Sequence, residues 1–157
     1  MGLRRKAREL AIQTLYALDY SETENEFREF NQLNAYPEIL SQMAEHEHIA
    51  ENHGSLLFAE ELIKNTIIHL EDIEAMLQKH SDNWSLERIA HLDRSILRVA
   101  IYEIMFTDTP APIVINEAIE VAKKYSSESS NKFVNGILDA VFQDIKFKAL
   151  SEKNGIN

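Results

Sequence analysis

Four of the chain's sixteen basic residues crowd into five positions near its start: Arg4, Arg5, Lys6 and Arg8. A helix turns by about 100° per residue, so Arg5, Arg8, Ile12 and Tyr16 share a strip roughly opposite Thr14 and Leu18. Cations beside a ring at this spacing suit single-stranded RNA, because the charges meet phosphates and the ring stacks a base. The same pattern also describes a solvated basic helix end whose tyrosine packs on a neighbouring helix. Spacing alone does not separate the two.

A second surface of similar chemistry lies late in the chain. Lys123 and Lys124 fall off the apolar stripe of Ala118 and Ala122, and Tyr125 follows them. After a polar break come Asn131, Lys132 and Phe133. Basic charge is again interleaved with rings, at a helix–helix junction whose free N–H groups can take a phosphate. Core packing is the competing account of Tyr125 and Phe133. A third feature is Leu92-Asp93-Arg94-Ser95-Ile96-Leu97-Arg98, in which Arg94 and Arg98 stand four apart on one face. Burying Ile96, Leu97 and Ala100 leaves Asp93 exposed. Ordinary ion pairing at a helix surface accounts for these charges and is worth little.

Catalytic signatures are missing from the sequence. None of the six histidines belongs to a His-Glu-x-x-His pattern, and His46 and His48, two apart, do not face each other on a helix. The four glycines, Gly2, Gly54, Gly136 and Gly155, are too far apart to build a phosphate-cradling loop or a dinucleotide fingerprint. No Gly-x-Ser-x-Gly elbow occurs. Pairs such as Glu60-Glu61 are expected by chance among 26 acidic residues. A binding role therefore leads, with no cofactor and no metal expected.

The elements that carry these residues are helices. Gly and Pro are scarce and no segment alternates polar and apolar residues for long. Ala7, Leu10, Ala11, Thr14, Leu15 and Leu18 give the first helix one apolar face. Ser21-Glu22-Thr23-Glu24 reads as a capping box for a second, whose partial stripe is Phe27, Phe30, Leu33 and Tyr36, with Pro37 as an interruption. Glu45 to Gly54 reads as a loop or frayed helix end. Ser55 caps a helix whose stripe, from Leu56 to Leu77, continues to about Lys79. A turn follows at Ser81-Asp82-Asn83. A short helix around Leu86 to His91 leads into the apolar run of Ile96, Leu97, Ala100, Ile101, Ile104 and Met105. Pro110 ends that run. Ile115, Ala118, Ile119 and Ala122 mark the next helix, Ser126 to Ser130 a break, and Val134 to Ile145 the last stripe, with a frayed tail from Ser151. The chain is expected to be all-α, with about seven helices in one domain over 1–157. Two packed subdomains are expected within it, at 3–80 and 84–148.

At 157 residues such a domain buries roughly 70% of the surface its unfolded form exposes. Hydrophobic residues make up 45% and charged residues 27%, which is globular and not disordered composition. The absence of cysteine excludes disulfides, thiolate metal sites and a cysteine nucleophile. Charges interrupt the first apolar stretch, so neither a signal peptide nor a membrane span is expected, and the expected compartment is the cytoplasm. The net charge of −10 argues against nucleic acid until it is resolved along the chain. Residues 19 to 78 hold fourteen acidic and two basic side chains, a net of −12, so the remainder sums to +2. RNA is expected to meet only the first helix and the C-terminal half.

Taken together these residues resemble the NusB family of bacterial transcription antitermination factors. Arg4-Arg5-Lys6-Ala7-Arg8-Glu9-Leu10-Ala11, with Gln13, Leu15 and Tyr16, is similar to the family's arginine-rich first helix. Leu92 to Glu103 is similar to its central signature, and Val114 to Lys123 after Pro110 to the next. Lys132-Phe133-Val134-Asn135-Gly136-Ile137-Leu138 is the most specific piece. The resemblance spans 3–20 and 84–142, while 21–83 match only in being helical.

The resemblance implies a NusB-like bundle in two helical units. It also implies binding of the boxA element of nascent RNA together with NusE, a ribosomal small-subunit protein. That complex joins an antitermination assembly on RNA polymerase, chiefly on ribosomal RNA operons. Carried over by position, Arg4, Arg5, Lys6, Arg8, Gln13 and Tyr16 belong to the RNA face, with Lys124, Asn131 and Phe133 added from the C-terminal half. Asp93, with Arg88 and Arg94, belongs to the NusE face, where an acidic residue pairs with a basic partner. Ser129 stands where the family often has an acidic residue, and the stretch from Asn34 to Gly54 is long and acidic for the family. A NusB-like partner of an RNA methyltransferase is the alternative. The sequence holds no glycine-rich cofactor loop, so its catalysis would come from another chain. A scaffold that binds only protein is a third reading. Some family members self-associate through the RNA face, and the sequence leaves a homodimer open.

Overall fold

The fold is described from a computed structural model, for residues 2–21, 26–50, 53–81, 89–153 and 155. Among them stand seven α-helices: α1 (Gly2–Ser21), α2 (Arg28–His46), α3 (Gly54–Ile68), α4 (Leu70–Lys79), α5 (His91–Phe106), α6 (Ala111–Tyr125) and α7 (Glu128–Lys153). Two helices organise the rest. α1 packs against α2, α3 and α5, and α5 packs against α1, α3, α4, α6 and α7.

The central place of α1 changes what its sequence means. The expected stripe is in the core, with Ala7, Leu10, Ala11, Thr14, Leu15 and Leu18 all buried. Arg8, Glu9 and Ile12 are buried too, so every residue from Ala7 to Ile12 is covered. The strip through Arg8 and Ile12 is therefore not a solvated face. A helix wrapped on three sides has no back.

α2 departs from its expected pattern. Its buried residues are Gln32, Tyr36, Leu40 and Ala44, at i,i+4 spacing, while Phe27 and Phe30 are exposed. Tyr36 belongs to both patterns, and the core selects the row that contains it. Pro37 sits inside the helix without ending it; packing of Tyr36 and Leu40 outweighs the one backbone hydrogen bond a proline deletes. The capping-box reading fails at its first residue, because Ser21 is still helical in α1 and the N-cap of α2 is Phe27. Glu22 to Glu24 lie outside the described residues.

The end of α2 is a closed structure and not a frayed one. His48 adopts φ +59°, its N–H donates to the Glu45 carbonyl, and the Ile49 N–H donates to the Ala44 carbonyl at 2.8 Å. This is the Schellman arrangement, with a histidine in the left-handed position that glycine usually fills.

The stripe from Leu56 to Leu77 is one face but two helices, divided at His69. The imidazole of His69 stacks on Phe106 of α5 with centroids 4.1 Å apart, which anchors the joint. The N-cap of α3 is His53, whose Nδ1 accepts from the Ser55 N–H, so Ser55 is the capped partner and not the cap. α5 begins at His91; residues 82–88, where a turn and the start of a short helix are expected, lie outside the description. Pro110 is the N-cap of α6, and Pro112 stands in its first turn, where a missing N–H costs nothing. The serine break is shorter than expected. Ser126 and Ser127 lie outside the helices, Ser127 Oγ accepts from the Ser130 N–H, and α7 runs on to Lys153.

Candidate nucleic-acid interface

The N-terminal turn of α1 lies beside the last turn of α6, and the basic residues of both meet there. Arg5, Lys6, Lys123 and Lys124 line a groove of about 520 Å³ together with Gly2 and Glu9. A second groove of about 700 Å³ runs between α1, the end of α2 and the end of α6. Gln13 and Tyr16 line it from α1, His46 and Glu47 from the α2 side, and Tyr125 from α6. Glu47 joins the two, because its carboxylate accepts from Lys6 at 2.8 Å. Cations, two phenol rings, a carboxamide and an imidazole thus share one side of the molecule. Phosphates, base faces and base edges can all be met there.

Each cation of this face is already held by a carboxylate. Arg5 makes a two-pronged pair with Glu117 at 2.8 and 3.0 Å. Lys6 reaches Glu47 at 2.8 Å and Glu9 at 3.9 Å. Lys124 donates to Glu9 at 2.8 Å and lies 5.1 Å from the centre of the Tyr125 ring. Lys123 lies 3.4 Å from Glu120. The pairing shows in the ionisation: hydrogen bonding from Arg5 lowers the Glu117 pKa, and hydrogen bonding from Lys6 lowers that of Glu47. Hydrogen bonding to Glu9 raises the pKa of Lys124.

Other expected residues take other places. Arg4 is exposed and its guanidinium stands 5.0 Å over the Phe58 ring, turned toward α3. Arg8 is 5% exposed, with Nε and Nη2 each 2.8 Å from the two oxygens of Glu103 on α5. The whole donor face of its side chain is directed inward. Phe133 packs at the edge of the core on α7. Asn131, on the same turn, is half-buried, with a covered Oδ1 that has no hydrogen-bond partner in the structure. Neither residue lines the two grooves described above.

Asp93 corrects the expectation that it is exposed. It is 5% exposed in the first turn of α5, where its oxygens accept from Ser126 Oγ at 2.9 Å and Ser130 Oγ at 2.8 Å. The α6–α7 junction covers it, and a negative charge at a helix N-terminus is favoured besides. Arg94 is half-buried next to it, and Arg88 lies outside the described residues. Arg98 is no surface partner either: it is 5% exposed and bridges Glu74 and Asp19.

Residue spacing does not mark Glu47 or Glu117 as part of this face. Their partners Lys6 and Arg5 are 41 and 112 positions away. Among the described residues no group of three or more His, Asp or Glu could hold a metal ion, and no helix is long and apolar enough to cross a membrane.

An all-α domain with a central buried first helix and a basic, tyrosine-bearing side built from α1 and α6 defines a class of helical, nucleic-acid-directed proteins. Comparison with known proteins fixes which one. The NusB family profile matches residues 5–143. The transcription antitermination protein NusB of Thermodesulfovibrio yellowstonii is 40% identical over 142 residues, covering 90% of this chain and 92% of that protein. The NusB of Desulfitobacterium hafniense strain DCB-2 is 42% identical over 146 residues, covering 92% and 91%. A crystal structure of the antitermination factors NusB and NusE in complex with double-stranded RNA matches with a TM-score of 0.76 at 26% identity, over 92% of this chain and 98% of the solved one. The chain belongs to the NusB family.

Proposed function

We propose that this protein is an RNA-binding transcription antitermination factor that acts by binding and not by catalysis. On this reading it engages boxA RNA jointly with NusE in the cytoplasm and promotes processive transcription of ribosomal RNA operons within an RNA polymerase antitermination complex. The observation that carries the reading is the meeting of Arg5, Lys6 and Lys124 with Gln13, Tyr16 and Tyr125 on one side of the fold. Membership of the NusB family supports it.

In this reading Arg4, Arg5, Lys6 and Lys124 meet phosphates, while Gln13 and Tyr16 meet bases. Arg8 lies beneath them and holds α1 to α5 through Glu103. Asn131 and Phe133 would extend the face along α7. Asp93 would shape the NusE side through the α6–α7 junction it fastens, with Arg94 next to it; Arg88, outside the described residues, is assigned to NusE by its sequence position alone. On the same reading the chain divides into units at 3–80 and 84–148, and the packing of α5 against α1, α3 and α4 would join them.

Fluorescence anisotropy with labelled boxA RNA, with and without NusE, tests the reading. The expected result is weak binding by the protein alone and tighter binding with NusE. Equal affinity for a scrambled RNA, or no gain from NusE, would refute it.

A further inference from the structure

The four cations that line the phosphate side are internally neutralised, yet their carboxylates are not equally able to let go. Glu9 is 6% exposed at its side chain and shared between Lys124 and Lys6. Glu117 is 14% exposed and grips Arg5 with both oxygens. Glu120 is 38% exposed but meets Lys123 only within α6, at 3.4 Å. Glu47 is 33% exposed and touches Lys6 from another helix through one oxygen, Oε2. It also lines the tyrosine groove while holding a lysine of the other groove.

The backbone that presents Glu47 is fixed. It is the C-cap of α2, its N–H bonds the Met43 carbonyl, and the residue after it occupies the left-handed position of the helix-ending turn. The side chain is therefore delivered to Lys6 by a rigid support and is free to rotate away from it. Lys6 likewise is 31% exposed and keeps its reach into solvent.

We propose that Glu47 is an affinity-setting residue of the RNA face, a carboxylate that occupies Lys6 in the free protein and must surrender it to an RNA phosphate. This rests on the RNA-binding reading above and adds a regulation to it. Binding then exchanges one anion for another at Lys6, so the contact yields little net attraction. The released carboxylate takes up a cation from solution, which offsets part of the counterion release that drives binding to phosphates. The exchange penalises any RNA whose only merit is charge. Sequences that also fill the groove beside Tyr16, or that arrive with a partner protein, are penalised proportionately less.

The test uses the full-length chain and a short labelled single-stranded boxA RNA, titrated at several salt concentrations. Glu47→Gln keeps the shape and removes the charge. It should tighten binding by about 1.4- to fivefold, the span covered by the coupling of an exposed ion pair, and make the salt dependence steeper. Glu45→Gln controls for the loss of a charge nearby, since Glu45 is exposed and makes no ion pair among the described residues; its effect should be smaller. In a Lys6→Gln background, Glu47→Gln should add no tightening beyond that of Glu45→Gln. Equal effects of Glu47→Gln and Glu45→Gln, or a full gain that persists without Lys6, would overturn the inference while leaving RNA binding intact. No binding by the unaltered protein, with and without NusE, would overturn the RNA-binding reading and this inference with it.

Discussion

Removing the Arg8 side chain should destabilise the fold, because its guanidinium is one half of a buried ion pair that fastens α1 to α5. The Arg8 and Glu103 side chains are 6% and 2% exposed, and two parallel hydrogen bonds of 2.8 Å join them. Arg8→Ala leaves the Glu103 carboxylate covered and without its counter-charge. Breaking a buried pair from one side costs about 3–5 kcal/mol. The guanidinium also stands 5.5 Å over the Phe58 ring, and that contact is lost too. Against a total stability of about 5–15 kcal/mol the loss is large. At about 2–4 °C per kcal/mol for a chain of this size, the midpoint should fall by about 6–20 °C. Thermal and urea unfolding followed by far-ultraviolet circular dichroism measure this directly. The companion is Arg8→Met with Glu103→Leu, which removes both charges and keeps the volume. It should recover most of the loss, because a well-packed apolar pair replaces a buried ion pair at little cost. A midpoint within a few degrees of the unaltered protein for Arg8→Ala, together with reduced RNA affinity in a folded protein, would refute the argument and return Arg8 to the RNA surface.

Three further outcomes are expected. Asp93→Ala strips the charged acceptor from Ser126 and Ser130 and should cost about 1.5–3 kcal/mol, with faster amide exchange at the α6–α7 junction; unchanged exchange there would contradict the assignment. His48→Gly relieves a non-glycine residue at φ +59° and should stabilise by about 0.5–1 kcal/mol in urea unfolding, whereas a loss would show that the imidazole is needed at that corner. The pKa of Asp144 is lowered to about 2 by hydrogen bonds from Lys79 and His80. That of Asp19 is also lowered: burial pushes it up, and Arg98 and Arg28 outweigh the burial. Groups whose pKa drops on folding stabilise the protein above their unfolded values and lose that contribution as pH falls. Denaturant midpoints should therefore decline from about pH 4 toward pH 2, and less steeply in Asp144→Asn; a flat profile would contradict both pairings.

What could be read from the sequence was periodic, and what could not was distant. The stripes of α1, α5 and α7 are largely in the core because a helix buried on one side repeats its apolar residues every three or four positions; in α6 the buried row is Val114, Ala118, Val121 and Ala122, and the expected Ile115 and Ile119 are only half-buried. Such a pattern ranks faces within one helix and says nothing about how many neighbours the helix will have. Hence Ala7 and Leu10 were legible as core while Arg8 and Ile12 were not. In α2 two rows of apolar residues competed, Phe27 and Phe30 against Leu40 and Ala44, and only tertiary packing decided between them. Asp93 stands three and four positions before Ile96 and Leu97 and shares their buried face, so its charge and not its place on the wheel pointed to exposure; the hydroxyls that satisfy it, Ser126 and Ser130, come from two other elements. For the RNA side the cations and rings were legible as residue types in clusters. Their carboxylate partners were not, since Glu47 and Glu117 are joined to Lys6 and Arg5 only by the fold.

Those partners bear on how an acidic protein can serve RNA at all. The strongly negative stretch from 19 to 78 includes Glu47, so the boundary between the acidic half and the basic start is not a clean one. It is stitched at Lys6. The face offers Arg5, Lys6, Lys123 and Lys124 at its groove, each facing a carboxylate of the same chain. Strong sequence-independent binders make roughly six to ten phosphate contacts with uncommitted cations. Four committed cations, with Arg4 set over Phe58, fall short of that number and cannot hold RNA by charge alone. On the proposed RNA-binding reading, affinity would come from surfaces that do not depend on net charge: stacking on Tyr16 and Tyr125, polar contacts at Gln13, and area added by a second protein. The proposed reading therefore predicts a weak intrinsic binder that becomes a good one only with its partner.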